Sequence, residues 1–243
     1  MRAFYMGIAV ACYAAFFVAF LYLVGFLAGL PMLPRHVDKG IASDAVTATL
    51  WNLGLISLFG LQHSVMARKS FKAAWTRIVP PPLERGFYCL AAAVVLALLY
   101  SFWHPIPTVI WDIGNPLARN LVWGLFLAGF GIVFISTWLI NHFELFGLAQ
   151  AWQNFQGVTP STPTMKTPLF YKFVRHPIYT GFLLAFWSAP TMTAGHLLFA
   201  VGMTVYIFIG IHHEERDMMD VFGADYAAYR QRVGKVIPGL GKG

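Results

Sequence analysis

Apolar residues in this chain come in long unbroken blocks, not in the alternating or three-and-four patterns of soluble strands and helices. The blocks near residues 4–30, 45–67, 86–103 and 117–140 each reach the ~18 or more residues that a helix needs to cross a bilayer. A last apolar region, 177–211, is too long for one upright span. It breaks at Ser188-Ala189-Pro190, because proline removes a helix donor and clashes with the preceding turn. The pattern predicts a C-terminal helical hairpin at 177–215, with a short first arm near 177–189 and a longer second arm near 193–215. Whether the short arm completes a crossing decides between five spans and six.

Between these blocks lies a long connector, 141–176. It carries Trp152, Phe155, Phe170, Tyr171 and Phe173, rings that favour burial over plain disorder, and the connector is expected to fold over one mouth of the bundle as a lid. Within it, Thr159-Pro160-Ser161-Thr162-Pro163 reads as a loop. Past the hairpin, Phe222, Tyr226 and Tyr229 recur at helical spacing, so the tail is expected to continue as an amphipathic helix packed against the bundle or the lipid interface.

Composition agrees with a membrane chain: 58% of residues are hydrophobic and 11% charged, against about 25% charged in soluble domains. The fold class expected is therefore all-α and integral to the membrane, a single domain (1–243) of five to six spans with a C-terminal hairpin and a cytoplasmic amphipathic tail. The first apolar block is too long for a signal-peptide core and is expected to be a retained span. Lysine and arginine cluster after the second span (Arg68, Lys69, Lys72, Arg77, Arg85), before the hairpin (Lys166, Lys172, Arg175) and in the tail (Arg216, Arg230, Arg232, Lys235, Lys242). With six crossings all three regions and the N-terminus fall on the cytoplasmic side. The net charge of +7 then belongs to topology and the lipid bilayer; no nucleic-acid motif accompanies it, and no protein partner is predicted. Cys12 and Cys89 both lie in spans, so neither a disulfide framework nor a thiolate metal site is expected, and no zinc-binding pattern is present.

Ionisable residues at the mouth of a membrane helix are costly and point to a functional site. Two such clusters bracket the hairpin. Arg175-His176-Pro177-Ile178-Tyr179-Thr180-Gly181 precedes it, and His212-His213-Glu214-Glu215-Arg216 follows it. Pro177 suits a first helical turn, which sets His176 at the helix entrance. Gly181 permits close approach of a ligand or another helix. Glu214 and Glu215 sit toward a helix C-terminus, where the macrodipole disfavours carboxylates, and their own helix offers them little pairing. They call for partners from elsewhere, with Arg175 and His176 the candidates.

The stretch from Arg175 to Pro238 resembles the C-terminal signature of the isoprenylcysteine carboxyl methyltransferase and phospholipid methyltransferase superfamily: Arg-His-Pro-x-Tyr-x-Gly, then a Glu-Glu pair, then Phe-Gly-x-x-Tyr-x-x-Tyr. The resemblance implies binding of S-adenosyl-L-methionine between hairpin and tail, with Arg175, His176, Tyr179, Gly181, Glu214 and Glu215 as cofactor-binding residues. Three further segments, Gln62-His63-Ser64-Val65-Met66-Ala67-Arg68, Pro80-Pro81-Pro82-Leu83-Glu84-Arg85 and Asn141-His142-Phe143-Glu144-Leu145-Phe146-Gly147-Leu148, resemble those of bacterial methanethiol S-methyltransferases, relatives of the NnrU-like membrane proteins. That likeness implies methylation of a small thiol, methanethiol, to dimethyl sulfide, in the bacterial inner membrane with termini and site facing the cytoplasm.

The chemistry is compatible. Transfer from a sulfonium to a thiolate annihilates two charges, which a dry site favours, but the thiolate must first form, and a cysteine thiol titrates at about 8.5. Candidate bases are His63, His142, His176 and Glu144, while Arg175 could favour the thiolate by its charge. For His63 the alternative is a core histidine bonded across helices; for His142 and Glu144 it is anchorage of the connector. Two other functions remain open at this point: methylation of a lipid-type acceptor, and a non-catalytic NnrU-like membrane protein.

Overall fold

The structure, a computed structural model, describes residues 1–158 and 164–243. The loop expected at Thr159–Pro163 lies outside the described residues. In chain order the elements are α1 (Arg2–Ala28), α2 (Ala45–Ala67), the short α3 (Lys69–Trp75) and α4 (Glu84–Phe102), which follows a 3-10 turn at Pro81–Leu83. Then come β1 (Val109–Asp112), α5 (Pro116–Ile140), the short α6 (His142–Leu145) and α7 (Leu148–Gln156). The chain closes with α8 (Pro177–Trp187), β2 (Thr191–Thr193) and α9 (Ala194–Arg232). Among the described residues, five helices are long and apolar enough to cross a membrane: α1, α2, α4 with its leading turn, α5 and α9. The chain is an all-α integral membrane protein with one small two-stranded sheet, β1–β2, which the apolar pattern does not foretell.

The chain gathers into two compact units. The first comprises the described residues of Met1–Thr108, Asn141–Thr162 and Thr193–Leu198, with α4 packed on both α1 and α2, and α7 on α1. Local chemistry sets its helix limits. Asp44 caps α2, its carboxylate accepting from the Val46 and Thr47 amides at 3.0 Å each, two of the donors a helix start leaves open. Gly29 ends α1 in the left-handed region at φ 65°, where glycine carries no Cβ penalty. Asn52 is fully buried in α2 and pairs both ways with His104, accepting from its amide (3.0 Å) and donating to its carbonyl (2.7 Å). Cys12 and Cys89 are free and buried.

The connector after α5 opens with two short helices, α6 and α7. Asn141 caps α6, its side chain accepting from the Glu144 amide, and α7 buries Ala151 in a cluster with Ala9, Val79 and Leu83. Trp152 and Phe155, expected to seek burial, are 48% and 43% exposed. They stack on each other, ring centroids 5.5 Å apart, because α7 turns its small-residue face inward. Phe173 is likewise exposed.

The second unit comprises the described residues of Val109–Ile140, Pro163–Met192 and Phe199–Gly243, and its spine is the contact between α5 and α8. A Cβ placed on Gly129 would meet the Ala185 amide nitrogen at 2.6 Å, and one on Gly181 would meet the Gly129 carbonyl at 2.5 Å and the Val133 nitrogen at 2.8 Å. Glycine on both sides lets the backbones touch, as small residues do between membrane helices. The pairing 129–185 and 133–181 runs in opposite senses, so the helices are antiparallel. α8 has 11 residues, about 16 Å of helix. The irregular backbone beyond it is satisfied internally: Trp111 Nε1 donates to the Ala189 carbonyl (3.0 Å) and the Ile113 amide to that of Pro190 (2.9 Å). α9 kinks at Gly223 (φ 49°, ψ −121°). Beyond the kink, Tyr226, Tyr229 and Val233 are buried against Met165, Met218, Met219 and Phe222, so the aromatic stripe is a packing face.

Candidate active site

Within the second unit the two polar clusters meet. Pro177 opens α8 as its first residue, which leaves Arg175 and His176 just ahead of the helix, both buried. Arg175 donates to Glu215 Oε1 through Nη2 at 2.7 Å and Nε at 2.9 Å, with the two side chains 1% and 8% exposed. His176 Nε2 lies 3.2 Å from the same oxygen. An ionised carboxylate only accepts, so this nitrogen carries the hydrogen. On the far side of the imidazole, Nδ1 stands 3.7 Å from Glu214 Oε2, and the Tyr179 ring lies 5.7 Å from the imidazole, centre to centre.

The remaining Arg175 donors go to the tail: Nη1 to the carbonyls of Arg230 (3.1 Å) and Val233, and Nη2 to that of Gly241 (3.0 Å). The main chain adds a parallel bridge between Val174 and Gly234, with the Arg175 amide donating to the Gly234 carbonyl (2.8 Å) and the His176 amide to that of Lys235 (3.1 Å). Arg230 Nε and Lys235 Nζ each come to 3.9 Å from Glu215 Oε2. Glu215 thus sits in a nest of cations, and its buried charge is compensated. Tyr171 accepts a hydrogen bond at its carbonyl from the Tyr229 hydroxyl. Its own phenol is pushed above the usual range by burial, with the charge of Glu214 adding to it, so it stays protonated. Beside this cluster, in the elbow of α9, an open pocket is lined by His212, Glu215, Arg216, Met219, Asp220 and Arg230.

Gly181 makes its close approach to α5, so the face its missing side chain opens is filled by a helix. His63, His142 and Glu144 belong to the first unit. His63 lies beside Phe59 and Tyr88, with ring centroids 5.3 and 4.7 Å away. His142 is buried and its Nε2 is 2.8 Å from the Tyr13 hydroxyl. Glu144 is exposed and accepts from Asn141 Nδ2 at 2.7 Å, bracing the start of α6. Sequence reasoning counted Arg230 and Lys235 only as topology charges. The signal that could have found them is Gly223, an isolated glycine in a helical pattern, which turns the tail back toward Glu215.

Fold and site together define an integral membrane protein of helical hairpins whose buried charge cluster opens beside a polar pocket. No protein-family model matches the chain. No solved structure matches it either. Among curated proteins it is 53% identical to methanethiol S-methyltransferase 1 of Bradyrhizobium diazoefficiens, over 94% of this chain and 80% of the relative. It is 48% identical to a methanethiol S-methyltransferase from a Pseudomonas strain over 93% of this chain and 87% of the relative. A third, from Mycobacterium tuberculosis, is 47% identical over 94% of this chain and 93% of its own. The chain belongs to the methanethiol S-methyltransferase family.

Proposed function

We propose that this protein transfers a methyl group from S-adenosyl-L-methionine to methanethiol, releasing dimethyl sulfide and the demethylated cofactor. The observation that carries this reading is the likeness over nearly the whole chain to proteins named for that reaction. The site adds chemical support. Asp220 lines the same pocket as the guanidiniums of Arg216 and Arg230, a donor set that fits a zwitterionic amino acid. The cofactor-binding region is read as Arg175, His176, Tyr179, Glu214 and Glu215, with Gly181 seating α8 against α5 beneath it, the two units acting as one methyltransferase domain and the 141–176 connector as its lid.

When bound, the cofactor supplies an electrophilic methyl on a sulfonium. The thiolate sulfur forms the new S–CH3 bond as the old one breaks, and that electron pair remains on the departing sulfur. The protein's part is to hold the reactants in line, exclude water, and take the thiol proton. His63, His142 and Glu144 are the proposed proton acceptors. The membrane is read as the bacterial inner membrane, with both termini and the site on the cytoplasmic face. The clustering of lysine and arginine supports that orientation.

The test is direct. Purified protein in lipid nanodiscs, given S-adenosyl-L-methionine and methanethiol, should release dimethyl sulfide into the headspace, read by gas chromatography. Output no greater than that of the E214A/E215A double variant refutes the reading.

A further inference from the structure

The two adjacent glutamates share His176 as a neighbour but differ in exposure and in the bonds they accept. Glu215 is 8% exposed at its side chain and accepts three contacts on Oε1, two from Arg175 and one from His176. Glu214 is 40% exposed, and its nearest ion-pair partner among the described residues is His176 Nδ1 at 3.7 Å. Arg175, for its part, has no donor left: a guanidinium has five N–H groups, and Glu215 takes two, while the Arg230, Val233 and Gly241 carbonyls take three. Every bond it makes inside the tail lies between residues 230 and 241, the same stretch that the Arg175 and His176 amides and the Thr180 hydroxyl hold through Gly234, Lys235 and Val236.

We propose a division of labour, resting on the methyl-transfer reading above: Glu214 is the carboxylate that meets the methyl donor, whereas Arg175 and Glu215 are positioning residues that staple the tail and so present Arg230 and Lys235 to the site. The reasoning is one of capacity. A side chain with all its donors buried in carbonyls cannot bind a ligand without releasing the tail, and a carboxylate saturated on its inner oxygen offers little to a cation. A half-exposed carboxylate next to an imidazole is free to accept from an ammonium or a ribose hydroxyl. The outcome separates residues that the sequence pattern groups together.

Full-length protein in nanodiscs tests both halves. Calorimetry with S-adenosylhomocysteine should show E214Q binding about tenfold or more weakly, the worth of one hydrogen bond to a charged group, while amide hydrogen exchange at residues 234–236 stays as in the unaltered protein. E215D and R175K, chosen because E215Q risks not folding, should speed exchange at 234–236. They should also raise the KM for the methyl donor several-fold while leaving the KM for the thiol in place, a split that mere loss of folded protein would not produce. Unchanged affinity in E214Q overturns the first half, and unchanged exchange in both E215D and R175K overturns the second. Should the unaltered protein bind neither donor nor demethylated product, the methyl-transfer reading itself fails, while the exchange measurement still reports on the staple.

Discussion

Replacing Gly181 by alanine asks whether that glycine serves a ligand or a helix. The new Cβ would lie 2.5 Å from the Gly129 carbonyl oxygen, 2.8 Å from the Val133 nitrogen and 2.9 Å from its Cγ2. Ordinary contact begins near 3.4 Å, so α5 and α8 must part by most of an ångström. Two of the three obstacles are backbone, which cannot rotate away. A gap of ~0.5–1 Å forfeits a quarter to a half of the dispersion at each pair along the crossing, and overpacking of a tight core costs about 1–3 kcal/mol. We expect G181A at the upper end of that range, measured by unfolding in mixed micelles titrated with dodecyl sulfate. G129A should behave alike, since its Cβ would meet Ala185 N at 2.6 Å. The controls are G124A and G131A, whose added methyl groups meet nothing within 4 Å and which should be neutral or gain up to ~1 kcal/mol of helix propensity. If G181A unfolds with the unaltered protein but binds S-adenosylhomocysteine poorly, the packing account is wrong and the glycine faces the ligand.

Gly223 holds φ 49° with ψ −121°, and a Cβ added there would meet nothing within 4 Å, so G223A should suffer only backbone strain. About 1–3 kcal/mol of stability and a weaker grip on the demethylated cofactor are expected from melting and calorimetry; a protein as stable as the parent would mean the kink relaxes without cost. The pH dependence of the first unit provides another check. Burial holds the His142 imidazole below its ordinary value of 6.5, so the unfolded chain takes up that proton first as pH falls. Stability from this group is therefore complete above about pH 6.5 and is lost on acidification below it. The stability difference between the parent and H142Q should shrink from pH 7.5 to 5, and a constant difference across that range would refute the assignment.

The membrane spans were legible because hydropathy is a one-dimensional property: α2 occupies the residues 45–67 that its apolar block marks, and Pro190 falls in the break between α8 and α9. The meeting of Arg175 with Glu215 was legible from an absence, the lack of local partners for a carboxylate near a helix end. What stayed hidden depends on backbone partners, which leave no trace in residue identity. Three of the five Arg175 bonds go to carbonyls, and the ribbon of Val109–Asp112 with Thr191–Thr193 is too short to imprint an alternating pattern. The exposed Trp152 and Phe155 show the converse error. In a protein bathed in lipid, aromatic rings need not be inside to be away from water.

The ribbon at the end of α8 has a consequence for the barrier the protein sits in. A helix of 11 residues is about 16 Å long, well short of a ~30 Å hydrocarbon layer, and the chain that follows it is irregular up to β2. Lipid could not satisfy the polar groups of such a backbone. Ser188, Ala189, Pro190 and Met192 are all buried, and their stretch is bonded to Trp111 and Ile113 rather than to solvent. The ribbon works as a clasp: it closes the backbone's hydrogen bonds within the protein at the end of the hairpin opposite the charged cluster.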